Sequence, residues 1–207
     1  MNYQFYRILH LTTILKCKWY KRWNPIKFKL IGIRVGKYSL MMNKIDIRVA
    51  PRAHIDIGSH FTVLSGDSLN ALCRNTRLCL RAEDNAKIVI GNWTGISGGC
   101  VWSSKSIVIG NHVNIGANCQ IIDGDIHSLD WRDRRQDTYT PVPYQIAPII
   151  IEDDVWIGAN TIILKGVVIG RRSIIGAGSV VTHSIPSDCI AAGNPCKVIR
   201  KTIDESK

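Results

Sequence analysis

From Ile151 onward, aliphatic residues recur every six positions, at Ile151, Ile157, Ile163, Ile169, Ile175 and Val181. The same register precedes a break, in IGNHVN IGANCQ IIDGDI from Ile109 to Ile126, and Ile90 and Ile96 carry it further back with a one-residue offset. Weaker traces in Ile57-Gly58 and Ile88-Val89-Ile90-Gly91 place the first, less regular turns near residue 46. A six-residue period is neither the 3.6 of a helix nor the alternation of an ordinary strand. It predicts one short flat strand and one corner per hexapeptide, three such units closing a triangular coil and successive coils stacking at about 4.8 Å. The aliphatic residue then points into the prism. The second position is usually small (Gly91, Gly110, Gly116, Gly158, Gly170, Gly176), and Asn or Gly often stands near the fourth (Asn118, Asn160, Gly166, Gly178), as corners and positive φ require.

Two stretches escape the period. Residues 128–150, SLDWRDRRQDTYTPVPYQIAPII, are polar and hold Pro141, Pro143 and Pro148, which predicts a long insertion between regular coils, a common place for function. Residues 1–45 instead show Phe5, Ile8, Leu9, Thr12, Leu15 and Trp19 at near-helical spacing, followed by Lys18, Lys21 and Arg22. Two readings fit: a helix lying on an anionic membrane with Trp19, Tyr20 and Trp23 at the interface, or a helix packed on the end of the prism with its bases in water. The domain plan is thus a basic arm over 1–45, a coil domain over 46–203 with the loop inserted, and a tail over 204–207.

Charge sharpens this plan. The chain of 207 residues has a formal net charge of +11, from 27 Lys and Arg against 16 Asp and Glu. Ten of those bases and none of the acids fall in residues 1–45, so the body is nearly neutral. A basic arm on a neutral globule argues against nucleic acid, whose partners spread positive charge over a folded face. The seven cysteines form no C-x-x-C pair, and no histidines cluster at zinc-ligand spacing, so reduced thiols, a cytoplasmic setting and no metal are expected. Ile8–Leu15 is interrupted by His10, Thr12 and Thr13 and runs into Lys16-Cys17-Lys18, which reads as neither signal peptide nor membrane span. The glycine-rich pieces Gly91–Gly99 and Gly176–Gly178 match no phosphate-loop spacing.

The register, together with Val155-Trp156-Ile157-Gly158-Ala159, Ile175-Gly176-Ala177-Gly178-Ser179-Val180-Val181 and Ala192-Gly193-Asn194-Pro195-Cys196-Lys197-Val198-Ile199-Arg200, resembles the hexapeptide-repeat acyltransferases of the galactoside and maltose O-acetyltransferase kind. The resemblance is good over about residues 88–203 and loose over 46–87. It implies an all-β fold, a left-handed parallel β-helix, with the loop projecting from it. The handedness comes from the resemblance alone, because general topology favours right-handed crossovers. It also implies a homotrimer with active sites between subunits, acetyl-CoA as donor co-substrate and a carbohydrate acceptor. A basic region before the coils is nearest to enzymes of capsule, O-antigen or exopolysaccharide precursors.

His127 closes the last hexapeptide before the loop, where a base could meet both donor and acceptor, and it matches the position of the family's catalytic histidine. A neutral imidazole near pH 7 can take the proton of an attacking hydroxyl, an effect commonly worth about 10² to 10⁴ in rate. Asp125 and Asp130 are its neighbours in sequence and candidates to orient the ring. On the family motif, Trp156, Ala159, Ala177 and Thr182 fall near the pantetheine, and Lys197 and Arg200 towards the nucleotide phosphates, a role that suits their charge. The other histidines are expected to be structural, and Cys119 to point inward. Rival readings are acetylation of a free sugar, serine or an antibiotic; a metal-dependent β-helix enzyme, for which His112 and His127 lack a third ligand; and a silent β-helix scaffold.

Overall fold

The structure, a computed structural model, describes residues 8, 10–66, 69–73, 76–136 and 145–202. A helix, α1 (Leu11–Leu30), leads into coils of three strands each. The first coil is β1 (Arg34–Val35), β2 (Leu40–Met42) and β3 (Asp46–Val49); the second is β4 (His54–Ile57), β5 (Thr62–Leu64) and β6 (Leu78–Ala82). The third holds β7 (Lys87–Ile90), β8 (Gly95–Ile96) and β9 (Gly99–Ser103), the fourth β10 (Ser106–Ile109), β11 (Asn114–Ile115) and β12 (Cys119–Ile122). A short helix, α2 (Trp131–Gln136), sits in the inserted loop. The fifth coil follows as β13 (Ile149–Ile151), β14 (Trp156–Ile157) and β15 (Ile162–Ile163), the sixth as β16 (Val168–Ile169), β17 (Ile174–Ile175) and β18 (Val180–Val181). A last partial turn holds β19 (Cys189–Gly193), from which β20 (Cys196–Lys201) folds back.

Each strand pairs in parallel with its counterpart in the coil before and after, giving three sheets that form the faces of a prism. The first face is β1-β4-β7-β10-β13-β16, the second β2-β5-β8-β11-β14-β17-β19-β20, and the third β3-β6-β9-β12-β15-β18. This is a left-handed parallel β-helix. The hexapeptide aliphatics fill its interior: Leu80, Val101, Ile121, Ile163 and Val181 line the third face from inside, all buried. The coils begin at Arg34, inside the stretch read as lacking the period: Val35-Gly36 stacks on Ile57-Gly58, a single signature pair followed by the irregular corner at Tyr38 and the buried Met41.

Position two is small because coils touch there. A Cβ on Gly91 would lie 2.5 Å from the Gly110 carbonyl, and one on Gly116 would lie 2.6 Å from the Ala159 nitrogen. Positive φ falls instead at position four: Asn118 (57°) and Asn160 (59°) at one edge, as expected. At the edge between the first and second faces, bulky residues hold it in every coil, namely Tyr38, His60, Trp93, His112, Asp154 and Arg172. The first four rings form a ladder, with His60 and Trp93 centroids 3.6 Å apart and nearly parallel. Nothing in the period announced this stack; side-chain stacking between neighbouring coils offsets what a left-handed backbone costs a bulky residue.

Both ends of the prism are covered, as exposed sheet edges must be. At one end β19 and β20 pair in antiparallel fashion, Ala192 facing Lys197 and Ile190 facing Arg200. At the other, α1 packs on the first coil. Its Phe28 is fully buried, the Asn24 side-chain amide donates to the Met41 and Asn43 carbonyls (3.0 and 2.8 Å), and the Lys27 ammonium donates to the Ile45 carbonyl (2.7 Å). These carbonyls have no further coil to bond, so the helix supplies their donors. The packing alternative for the arm therefore holds, but through a face the sequence reading did not single out. Ile8, Leu15 and Trp19 are 65%, 55% and 63% exposed, on the other side of the helix. Phe5 and Leu9, also part of that reading, lie outside the described residues.

Asn24→Ala should remove the donor of two carbonyls and lower stability by about 1–3 kcal/mol. Thermal unfolding followed by circular dichroism checks this, and an unchanged midpoint would show that the helix does not seal the first coil.

Candidate functional site at the base of the inserted loop

The loop leaves the prism where the third face turns into the first. There Asp123 is buried, its carboxylate accepting hydrogen bonds from the Ser103 hydroxyl (2.9 Å) and the backbone N–H groups of Ser104 (2.5 Å), Lys105 (3.0 Å) and Ser106 (2.7 Å). The alternation Cys119, Ile121, Asp123 turns this acid inward, and a buried carboxylate needs such partners. That inward register was a legible signal for a structural acid, and the sequence reading passed over it. The stem of the loop is closed by the Asp125 N–H donating to the Gln145 carbonyl (2.8 Å), the Ala147 N–H donating to the Asp123 carbonyl (3.0 Å), and an antiparallel bridge between Gly124 and Ile146.

His127 stands just beyond this stem, exposed, five residues after Ile122 of the third face. Asp125 is held by the Lys165 ammonium of the next coil (2.7 Å to Oδ1); its other oxygen is buried with no hydrogen-bond partner among the described residues. Asp130 is engaged elsewhere: the Arg132 guanidinium grips both its oxygens and holds its carboxyl below the usual carboxylate range. Ser128 bonds Asp133 (2.8 Å), and Arg134 caps the Ser128 and Leu129 carbonyls (2.7 and 2.9 Å), so the loop segment from 128 to 136 is knitted to itself. Pro141 and Pro143 lie outside the described residues; Pro148 precedes β13.

The residues expected to hold the donor fall into two places. Trp156 is an exposed residue of the second face, in one row with Ile174, Ile190 and Arg200 along successive strands, a span of about 14 Å at the usual strand spacing. Ala159 and Ala177 stack on consecutive coils at the edge between second and third faces, where Gly158 approaches Ala177. Lys197, opposite Ala192, continues that strip at the prism end. Thr182 lies apart from these five. It follows β18 on the far edge of the third face, the edge that carries His127, and its hydroxyl meets His183 Nδ1 at 2.8 Å. The third face, roughly 15 Å wide at about 3.3 Å per residue, separates His127 from those five residues within one chain.

All seven cysteines are free, and Cys119 is buried as expected. Burial pushes its thiol up to about 11, while a hydrogen bond to Cys100 pulls the Cys79 thiol down to about 7. Among the described residues no group of three metal-binding side chains is found, and no helix is long and apolar enough to cross a membrane.

Residues 148–183 match the family model described as bacterial transferase hexapeptide (six repeats). A galactoside O-acetyltransferase of Lactococcus lactis subsp. lactis (strain IL1403) is 46% identical over 100 residues, covering 47% of this chain and 44% of that protein. Among solved structures, the polySia-specific acetyltransferase NeuO is 25% identical with a TM-score of 0.55, over 84% of each chain. A variant of AntD, an N-acyltransferase from Bacillus cereus in complex with dTDP and coenzyme A, shares the fold at 22% identity and a TM-score of 0.63, over 85% of this chain and 88% of that one. Residues 148–183 thus carry the hexapeptide repeats of that bacterial transferase family. The chain spans about half, or less, of the length of the curated relatives it matches.

Asp123→Ala should leave the N–H groups of Ser104, Lys105 and Ser106 without their side-chain acceptor, cost about 2–4 kcal/mol and loosen the stem that carries His127. The check is amide hydrogen exchange, expected to rise at Ser104, Lys105 and Ser106 while β15 and β18 stay protected.

Proposed function

We propose that this protein is an acetyl-CoA-dependent O-acetyltransferase acting on a sugar hydroxyl. The observation that carries it is a hexapeptide prism with a histidine at the root of the long insertion between β12 and β13, in a chain whose relatives include a galactoside O-acetyltransferase. His127 accepts the hydroxyl proton as that oxygen attacks the thioester carbonyl. The C–S bond then breaks, the sulfur leaves with the proton returned by the imidazolium, and an O-acetyl ester remains. Asp125, with one buried oxygen unspent, suits the orienting role better than Asp130, which Arg132 occupies.

A donor lying along the strip Trp156, Ala159, Ala177, Lys197 keeps its thioester on that edge, away from His127 of the same chain. The arrangement works when copies associate, one bringing the donor strip and its neighbour His127 and Thr182, which supports a homotrimer with sites between subunits. Lys197 and Arg200 are both exposed and have no ion-pair partner among the described residues, which supports a role for them towards the nucleotide phosphates. In this reading residues 34–202 are the catalytic body and α1 its basic adjunct.

His127→Ala should cut kcat by about 10² to 10⁴ while leaving CoA affinity unchanged. Thiol release in a screen of sugar acceptors with acetyl-CoA measures it, and undiminished turnover would remove His127 from the mechanism.

We also propose that the acceptor is a capsule, O-antigen or exopolysaccharide precursor presented at the cytoplasmic face of a membrane, where α1 makes peripheral contact. The outer side of α1 supports it: Leu11, Leu15, Trp19, Trp23, Ile26 and Leu30 form one exposed stripe along the helix, opposite the side that packs. Lys18, Arg22 and Lys29 flank it. An apolar stripe with aromatic residues and flanking cations is what an anionic lipid surface binds. Trp19→Ser with Trp23→Ser should weaken binding to vesicles containing anionic lipid about tenfold without unfolding, since neither side chain is buried. Unchanged vesicle affinity, or a loss of oligomer mass instead, would assign the stripe to protein contact.

A further inference from the structure

The outer side of the third face carries a column that the reaction described above does not use. Reading along the strand register, it runs Arg48, Arg81, Trp102, Ile122, and Ile122 is the residue from which the loop of His127 departs. Trp102 lies one strand from that coil and Arg81 two, about 5 and 10 Å away. The Arg81 guanidinium rests 4.1 Å above the Trp102 ring, and the Glu83 carboxylate fixes both, accepting from Arg81 Nε (2.6 Å) and Trp102 Nε1 (2.8 Å). Arg81 and Glu83 are each three-quarters buried. Beside them lies an open basin of about 640 Å³, walled by Arg48, Arg81, Glu83 and the apolar residues Ile31, Ile47 and Pro51.

Two features of this basin look unfinished. Arg48 and Arg81 face each other on adjacent strands, and like charges in that position destabilise a sheet. One carboxylate, Glu83, serves the pair, since Arg48 has no ion-pair partner among the described residues. Second, Glu83 uses only the Nε of Arg81, so among the described residues both terminal nitrogens of its fork remain without a hydrogen bond. A planar fork held rigid by a tryptophan and a carboxylate, with a second guanidinium across the strand, is a ready donor to two anionic oxygens.

We propose that this basin is the acceptor subsite and that it selects a sugar carrying an anionic group, a carboxylate or a phosphate, bound by Arg48 and by Arg81, which Trp102 and Glu83 hold in place. The inference rests on the sugar acetyltransferase reading and names its substrate class. The spacing suits it: an anionic residue held at Arg81 leaves about 10 Å to the coil of His127, the reach of the next one or two sugar units.

Binding to the intact protein, without acetyl-CoA, separates the two proposals. Methyl glucuronide and glucose 1-phosphate serve as the carboxylate and phosphate probes, and the methyl ester of the glucuronide as the neutral control, each titrated by calorimetry and then offered as acceptor. At least one anionic probe should bind about tenfold or more tightly than the control, and the stronger of the two identifies the anion. Arg81→Gln should abolish that preference and raise KM for the anionic acceptor with little change in kcat. Arg48→Gln, at an exposed position, should reduce it in the same direction and keeps the test valid if Arg81→Gln fails to fold. Equal binding of charged and neutral probes, or a preference that survives a folded variant, overturns the subsite. Arginine-dependent binding with no acetyl transfer to any acceptor would instead retain the subsite and overturn the transferase reading.

Discussion

Everything in this molecule depends on one coil lying directly on the next. Main-chain hydrogen bonds run from each coil to its neighbours on all three faces, so every strand is held from above and below except at the two ends. That contact dictates which residues are tolerated. Aliphatic side chains stack on their own kind inside, glycine or alanine stands where the corners meet backbone to backbone, and residues with positive φ turn the remaining corners. It also explains the two capping elements. The first coil offers carbonyls that no coil below can bond, and Asn24 and Lys27 of α1 bond them; the last edge is closed by β20.

A stack of this kind is rigid and repetitive, which makes it a poor source of reactive geometry by itself. The proposed chemistry enters where the repeat is interrupted. The loop after β12 is anchored by Asp123, whose carboxylate gathers the turn of the preceding coil, and by Asp125, paired with Lys165 of the following one. The histidine is thus borne by a stem tied to coils on both sides. The strip of Trp156, Ala159, Ala177 and Lys197, proposed to hold the donor, is built the opposite way, from residues that regular stacking brings into line, and the third face keeps it apart from His127 within one chain.

Much of this was legible. Period, strand length, buried aliphatics and glycine positions all follow from the hexapeptide register, because coil stacking repeats the same local environment every third unit. His127 at the loop root was legible for the same reason: it is the last residue before the register fails. Less regular coils were not. Tyr38, His60, Trp93 and His112 occupy one corner in successive coils, yet neighbours in the stack always differ, and only their rings in space reveal the ladder. Asp123 was hidden behind the more conspicuous Asp125 and Asp130, although its inward register marks it as the one that must be satisfied.

The basic, aromatic N-terminal stretch shows the limit most clearly. Helical spacing identified an apolar side of α1, and that side is exposed, while the buried side is made of Cys17, Asn24 and Phe28. A sequence period can count the faces of a helix, but only the position of the first coil's open carbonyls decides which one packs. By itself the sequence determined the coil, its core and the place where it is broken, since those are set by contacts repeated at fixed separation along the chain. Tertiary structure alone decided how α1 is turned, which aspartate is spent on which cation, and that Arg48, Arg81 and Trp102, distant in sequence, stand in one column beneath the loop.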